Sequence, residues 1–318
     1  MYVKNEPMRR NTMRIVFMGT PAYATRILEA LMQAIEHDVV LLVTQEDKPV
    51  GRKQILTPPD TKAWAQEHFP NLEVYQPKHL RNDEAVSKIA ACRADFIIVA
   101  AYGQILPASI LALAPCINLH ASLLPKYRGA SPIQSTLLAD ETYAGVTSML
   151  MEEGLDTGAM LGFSYLHVKP DDTSEQLFEA LSDAAASLTL KTLAHFEKLH
   201  PWKQVDAAMT HCRKIKKEDG LVSWQEKAQT LMCKYRAFTP WPGIYLASGL
   251  KLTELSLIDA AGKNSRIGCI ERITNEGIVV GCTQGSLLIS KVQPSSKNAM
   301  PVLDYIRGKR LTCGDSMV

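Results

Sequence analysis

Apolar residues along the first two thirds of the chain follow two alternating patterns. Residues 13–18 form an apolar run of strand length, and residues 22–36 carry apolar side chains at positions 27, 28, 31 and 35, the spacing of one helix face. Further strands are predicted at 39–43, 95–101, 116–119 and 145–151, and further helices at 60–68, 82–92, 131–139 and 173–199. Strands that alternate with helices predict an α/β fold with a doubly wound, mostly parallel sheet.

The pattern changes near residue 214. Short β-rich runs alternate there with turn residues, at 244–246, 251–258, 268–273, 277–282 and 285–292. Five short strands of this kind favour a small β-barrel of the OB type. We therefore expect four regions: an N-terminal tail at 1–12, an α/β domain at 13–200, a linker at 201–213 and an OB-like domain at 214–318.

Composition narrows the class of protein. With 318 residues, 46% of them hydrophobic, the chain can bury two domain cores. A net charge of +2 means that a nucleic-acid partner would need a local basic patch. Seven scattered cysteines without a C-x-x-C pair are typical of reduced thiols. Since no apolar run reaches the roughly 18 residues of a membrane helix, we expect a cytoplasmic protein without membrane contact, and a monomer.

Two polar side chains, Asn118 and His120, lie at the end of the apolar run at 116–119. Alternate strand residues point to one face, so both would project together at the carboxyl end of the strand, where open α/β sheets bind ligands. A carboxylate, Asp156, follows in the turn-like segment G-L-D-T-G. If Asp156 folds back to His120, it would orient the imidazole and stabilise its charged form. Such a set suits transfer of an acyl group to an amine.

Each of these residues also has a structural interpretation. A buried Asn118 or His120 could simply satisfy backbone groups, and Asp156 could form an ordinary Asx turn. In the functional interpretation, Asn118 donates a hydrogen bond to the oxyanion of a tetrahedral intermediate, a contact whose loss costs roughly 3 to 4 kcal/mol. His120 takes the proton that the attacking amine loses, for roughly 10² to 10⁴ in rate.

Other reaction classes lack their motifs. The chain has no G-x-S-x-G elbow, so direct attack by the acceptor amine is the simpler mechanism. It has neither H-E-x-x-H nor Cys/His spacing of ligand type, so no metal is predicted. The turn Gly19-Thr20-Pro21 lacks the second and third glycines of a dinucleotide fingerprint, which argues against a nicotinamide cofactor.

Longer segments resemble a known family. These are F-M-G-T-P at 17–21, N-L-H-A-S-L-L-P-K-Y-R-G-A-S-P-I-Q at 118–134 and G-L-D-T-G at 154–158, together with segments at 43–53, 101–107, 214–220 and 236–243. They resemble the methionyl-tRNA formyltransferases over nearly the whole chain. The resemblance implies a Rossmann-like formyltransferase domain followed by an OB-like tRNA-binding domain. It also implies that the co-substrate is 10-formyltetrahydrofolate and the acceptor is initiator methionyl-tRNA, in translation initiation.

The resemblance also assigns residues. It implies that the catalytic residues are Asn118, His120 and Asp156. The folate site would be lined by Ser122, Leu123, Leu124 and Pro125, and the tRNA acceptor stem would be contacted by Arg52 and Lys53 in the basic loop at 43–53. Taken without the family, the lysines and arginine of this loop are typical of a solvated surface. For Lys214, Lys216 and Lys217, phosphate binding and a solvated surface stay equally open.

Two departures and two alternatives accompany this assignment. Ala22 and Ala159 stand where the family usually has acidic residues, and neither belongs to the catalytic set.

One alternative keeps the formyltransferase chemistry but changes the acceptor to a small amine, glycinamide ribonucleotide or an amino sugar. The basic loop and the C-terminal region argue against it, because a small acceptor requires neither. The other is a non-enzymatic RNA-binding protein, against which the intact set of three residues argues.

Overall fold

The computed structural model describes residues 12–51, 53–262, 264 and 266–317. The strands are β1 (Met13–Gly19), β2 (His37–Val43), β3 (Lys48–Val50), β4 (Ile55–Thr57), β5 (Val74–Tyr75), β6 (Phe96–Ala100), β7 (Cys116–His120), β8 (Arg128–Gly129), β9 (Tyr143–Leu150), β10 (Met160–His167), β11 (His211–Cys212), β12 (Ile244–Tyr245), β13 (Lys251–Asp259), β14 (Ile270–Ile273), β15 (Ile278–Gly281), β16 (Ser286–Gln293) and β17 (Met300–Pro301). The α-helices are α1 (Ala22–Gln33), α2 (Asp60–His68), α3 (Asp83–Ala91), α4 (Ala108–Leu111), α5 (Pro132–Leu138), α6 (Ser174–His195), α7 (Ala228–Phe238) and α8 (Val302–Lys309).

A seven-stranded sheet runs in the order β10-β9-β7-β6-β1-β2-β5. Strands β1, β2, β5, β6 and β7 pair in parallel, and β9 lies antiparallel to β7. The chain adds β2 and β5 on one side of β1 and then returns to its other side with β6 and β7. Because crossovers between parallel strands are right-handed, this reversal sends them to opposite faces of the sheet. The predicted Rossmann-like, doubly wound, mostly parallel sheet is confirmed, with its switch point between β1 and β6.

Both faces of the central strands are covered. Five consecutive residues of β1 are buried, as are all five residues of β6 and of β7, which requires packed elements on each side. One face contributes Val16, Met18 and Val99 to an apolar core shared with Leu80 and Ile89 of the α3 region. The buried strands are therefore held firmly, and their carboxyl ends form a fixed edge for the segments that follow.

The region after residue 240 forms a second, antiparallel sheet. Its strands lie in the order β12-β13-β16-β15-β14, and β17 pairs with β16. Adjacent strands run antiparallel throughout, with the longest ladder between β13 and β16. The five predicted C-terminal runs each coincide with one of the strands β12 to β16. The sequence predicted a small β-rich domain of the OB type here, and the structure confirms a C-terminal domain of antiparallel strands.

The chain divides into two compact units. One consists of the described residues in 1–129, 144–166 and 178–211, and the other of those in 130–143, 167–177 and 212–318. Strands β1 to β7 belong to the first unit and the antiparallel sheet to the second. The linear boundaries at residues 200 and 214 stay a prediction.

Several elements were not predicted. The strands that were not predicted are β3, β4, β5, β8, β10, β11 and β17, and the helices are α4, α7 and α8. In β10 the exposed positions carry aromatic side chains, Phe163 and Tyr165, so the usual alternation of apolar inside and polar outside is lost. Among the described residues, no helix is long and apolar enough to cross a membrane.

Candidate active site

Strand β7 carries Asn118 and His120 to the carboxyl edge of the parallel sheet, beside β6 and the switch point. The side chains are two residues apart, share one face and are buried, with 8% and 6% of their surfaces exposed. The carbonyl oxygen of Leu119 between them accepts a hydrogen bond from the Tyr23 hydroxyl at 3.1 Å. Burial raises the pKa of Tyr23 far above its usual value, so the phenol stays a donor. This bond ties α1 to the strand that holds both side chains.

Asp156 lies in the turn between β9 and β10, with a backbone φ of 53°. Its Oδ1 accepts a hydrogen bond from Asn118 Nδ2 at 3.3 Å, and its Oδ2 accepts one from the Gly129 backbone amide at 2.9 Å. The same Oδ2 lies 3.5 Å from His120 Nδ1. Only 10% of the Asp156 side chain is exposed. The amide, the imidazole and the carboxylate thus meet at one point, although Asp156 is 36 residues beyond His120 in sequence.

The other ring nitrogen of His120 has a different partner. Nε2 lies 2.9 Å from the backbone carbonyl oxygen of Tyr127. A carbonyl oxygen only accepts hydrogen bonds, so Nε2 carries a hydrogen. In the neutral ring, Nδ1 is therefore the basic nitrogen, and it faces the Asp156 carboxylate. A proton taken up by His120 would be held between Nδ1 and that carboxylate.

The loop after β7 contains the four residues predicted to line a folate site. Ser122 Oγ donates to the Lys126 carbonyl at 2.6 Å, and the buried Thr147 hydroxyl donates to the Ser122 carbonyl at 2.7 Å. Thr147 Oγ1 also accepts a hydrogen bond from the Leu124 amide at 3.1 Å. Ser122 and Leu124 are buried, whereas Leu123 and Pro125 are half-buried. The loop has a fixed shape, and its role toward folate stays a prediction.

A second loop reaches the same edge of the sheet from β6. The carbonyl oxygen of Tyr102 accepts hydrogen bonds from Thr20 Oγ1 at 3.1 Å and from Gln45 Nε2 at 2.8 Å. Gly103 follows with φ of 84°, in the left-handed region that favours glycine, and a Cβ there would lie 2.3 Å from Gln45 Nε2, whose side chain would have to shift. An open groove beside this loop is lined by His79, Leu80, Arg81, Asn82, Gln104 and Ile105.

In the basic loop, residues 48–50 form β3, which pairs in antiparallel orientation with β4 to make the hairpin β3–β4. Lys53 is exposed, and Arg52 lies outside the described residues. The start of the hairpin is anchored through Asp47, which accepts hydrogen bonds from Lys62 at 2.8 Å and from Gln76 at 2.8 Å. Exposed apolar side chains, which the sequence pattern did not predict, also lie on the hairpin: Val50, Ile55 and Leu56.

The three lysines near residue 214 lie in the second unit, and all are exposed. A nearby carboxylate, Asp219, is paired with Arg213, with Oδ2 to Nη1 at 2.8 Å. This pairing holds the pKa of Asp219 down at about 2. The charge of Asp219 is therefore already compensated by Arg213. Whether the lysines contact phosphate stays a prediction.

The thiol of Cys116 does not compete with this site as a nucleophile. Cys116, on the same face of β7 as Asn118, is buried, and burial raises the pKa of its thiol to about 12. It is therefore neutral and unreactive near pH 7. Within the described ranges, no group of three or more His, Cys, Asp or Glu side chains is arranged to hold a metal ion.

Sequence reasoning missed three contacts of the site. Two are backbone groups, the Gly129 amide and the Tyr127 carbonyl. They lie in the motif at 118–134, but the identity of a side chain does not indicate which backbone atom points toward Asp156 or His120. The third is the Gln204 side chain, which donates to the carbonyls of Asp156 and Gly158. It lies in the segment interpreted as a linker, and no pattern there indicated it.

Comparison with known proteins gives the same family for both halves of the chain. The family described as "Formyl transferase" matches residues 13–193, and "Formyl transferase, C-terminal domain" matches residues 214–310. Methionyl-tRNA formyltransferase of Campylobacter jejuni is 51% identical over 304 residues, which cover 96% of this chain and 99% of the relative. That of Campylobacter curvus is 52% identical over 305 residues, covering 96% and 100%.

Solved structures share the fold. An N-formyltransferase from Helicobacter canadensis, in complex with folinic acid and dTDP-3-aminofucose, superposes with a TM-score of 0.63 at 17% identity, covering 87% of this chain and 99% of its own. At that identity the likeness concerns the fold alone. The two relatives from Campylobacter, about half identical to this chain and matched over almost their full length, show the family. The chain belongs to the methionyl-tRNA formyltransferase family.

Proposed function

We propose that the protein transfers the formyl group of 10-formyltetrahydrofolate to the α-amino group of methionine on initiator methionyl-tRNA. The observation that carries the proposal is the meeting of Asn118, His120 and Asp156 at the carboxyl edge of the sheet, in a chain of this family. The product would serve translation initiation, in the cytoplasm.

The reaction begins with attack of the amine nitrogen on the formyl carbon, which forms a C–N bond and leaves negative charge on the formyl oxygen. Asn118 Nδ2 carries two hydrogens, and one points to Asp156. The second is the donor for this oxyanion. Removing a donor of this type typically lowers kcat by roughly 10² to 10³.

The attacking nitrogen must then lose a proton. His120 takes it on Nδ1, and the imidazolium that forms lies beside the carboxylate of Asp156. Collapse of the tetrahedral intermediate breaks the bond between the formyl carbon and N10 of the folate. As it leaves, N10 takes the proton that His120 had accepted from the amine, so His120 returns to its neutral form and the proton count at the site is unchanged.

The substrates would approach from the loops at the sheet edge. The folate would lie along the loop at 121–125 and the segment at 101–107. The acceptor stem would contact Arg52 and Lys53 of the basic loop, with residues 214–318 as an OB-like tRNA-binding domain after a catalytic domain at 13–200. We propose a monomer, since each substrate has its residues within one chain.

The acceptor is tested by measuring formyl transfer to charged initiator tRNA, charged elongator tRNA and free amines, with 10-formyltetrahydrofolate as donor. The proposal predicts transfer to charged initiator tRNA in clear preference to the other acceptors. Transfer to a small amine alone, with none to charged tRNA, would sink it and favour an amino-sugar or nucleotide-amine acceptor, as the bound sugar nucleotide of the Helicobacter canadensis structure would suggest.

A further inference from the structure

The Gln204 side chain forms a bridge between Arg128 and the turn that carries Asp156. Its Nε2 donates to the backbone carbonyls of Asp156 at 2.8 Å and of Gly158 at 2.9 Å. Its Oε1 accepts a hydrogen bond from Nε of Arg128 at 2.9 Å. One side chain thus holds two carbonyl groups of the turn that presents the carboxylate.

The orientation of the Gln204 amide is fixed from both ends. The two carbonyl oxygens only accept hydrogen bonds, and the Arg128 guanidinium only donates them. A flipped Gln204 amide would place its oxygen against the two carbonyl oxygens and its NH₂ group against the Arg128 guanidinium. The NH₂ group therefore faces the turn, and its two hydrogens match the two carbonyl oxygens.

Arg128 is itself buried, with 4% of its surface exposed. Its second side-chain partner is Asp206, whose Oδ1 lies 2.9 Å from Nη2 but whose side chain is 82% exposed. An ion pair with so exposed a partner contributes little, because water screens it. Of these two bonds, the one from Arg128 to Gln204 leads toward the turn of Asp156.

Asp156 needs such support because of its backbone conformation. Its φ of 53° lies in the left-handed region, which is unfavourable for a residue with a Cβ. The Gly129 amide holds its carboxylate at Oδ2, and Gln204 holds its backbone carbonyl. Residues in such conformations persist where the surroundings over-determine them.

We propose that Gln204, oriented by Arg128, is a positioning residue for Asp156: it holds the turn so that the carboxylate stays aimed at Asn118 Nδ2 and His120 Nδ1. The inference depends on the catalytic role proposed for Asp156. The hydrogen bonds of Gln204 go to the turn and to Arg128, so Gln204 acts on the carboxylate through the turn.

Two substitutions separate this role from a merely structural one. Gln204→Glu keeps an acceptor for Arg128 but loses both donors to the turn, whereas Gln204→Met keeps the length and loses all three bonds. If Gln204 served only to satisfy Arg128, the Glu variant would behave like wild type. The proposal predicts that both variants lower the single-turnover rate, by an amount on the order of 10²-fold, since small misplacements at a reacting centre cost that much. Asp206→Asn, which changes the exposed partner of the same Arg128, is the matched control and keeps the wild-type rate.

The decisive readout is a double-mutant cycle with Asp156→Asn. If Gln204 acts through Asp156, then Gln204→Met slows the wild-type enzyme but causes little further loss in the Asp156→Asn background. An equal loss in both backgrounds, or wild-type rates for both Gln204 variants, overturns the positioning role while leaving the proposed function intact. A wild-type rate for Asp156→Asn alone removes the catalytic assignment of Asp156, and the positioning role falls with it.

Discussion

The carboxylate of Asp156 and the imidazole of His120 face each other at 3.5 Å, between Oδ2 and Nδ1. This separation is longer than an ordinary hydrogen bond, and the firmer partner of Oδ2 is the Gly129 amide at 2.9 Å. The Gly129 backbone amide thus holds the carboxylate in place, beside His120 Nδ1, the nitrogen that would receive a proton. The contact is of the kind that tightens once the imidazole is charged.

Replacing Asp156 by Asn removes the charge and nearly conserves the shape. We expect kcat to fall by roughly 10² to 10⁴, because the imidazolium loses its counter-charge, while KM for both substrates changes by no more than about twofold. Steady-state kinetics with charged initiator tRNA checks this. Glu153→Gln, an exposed carboxylate of the same turn, is the control and should leave kcat unchanged. Normal turnover by Asp156→Asn would exclude the carboxylate from the mechanism.

The turn that holds Asp156 also depends on Gly158. A Cβ at Gly158 would lie 1.7 Å from the Leu150 backbone carbonyl oxygen, so the turn would have to move. We expect Gly158→Ala to lower the free energy of unfolding by roughly 1 to 3 kcal/mol and to reduce kcat as well. Gly162→Ala is the matched control, because its Cβ would approach nothing nearer than Leu188 Cδ1 at 3.9 Å. Denaturant unfolding of both variants measures the difference, and equal stabilities would contradict the crowding at Gly158.

The basic loop is tested by Arg52→Ala. We expect weaker binding of initiator tRNA and a shallower dependence of binding on salt, because a phosphate contact is lost. Folate binding should persist. Titration of charged tRNA at several salt concentrations checks this, with Lys198→Ala, another exposed basic residue of the chain, as control. If Arg52→Ala binds tRNA as wild type does, the loop is an ordinary solvated surface.

The sequence predicted the elements that have strong periodicity. The bounds of α2 agree to the residue, and β7 extends only one residue beyond its predicted end, to His120 itself. Buried parallel strands and amphipathic helices leave clear patterns, so the mostly parallel sheet could be predicted. Strand β10 could not, because its exposed positions are aromatic.

For the candidate site, the sequence supplied the side chains and not their backbone partners. Asn118 and His120 could be paired from strand alternation alone. Asp156 was a conditional candidate from its turn-like segment, and the resemblance to the family then assigned it, because no local rule places a turn residue against a strand 36 positions earlier. The Gly129 amide, the Tyr127 carbonyl and the Gln204 bridge depend on loop geometry that only the fold sets.

In the proposed mechanism, His120 takes the proton that the attacking amine loses. The most direct test is the single-turnover rate of formyl transfer by His120→Asn, with charged initiator tRNA and 10-formyltetrahydrofolate both saturating. We predict a rate lower than that of the wild type by roughly 10² to 10⁴, with tRNA and folate affinities within about twofold of wild type. A single-turnover rate close to that of the wild type would exclude His120 from the proton transfer.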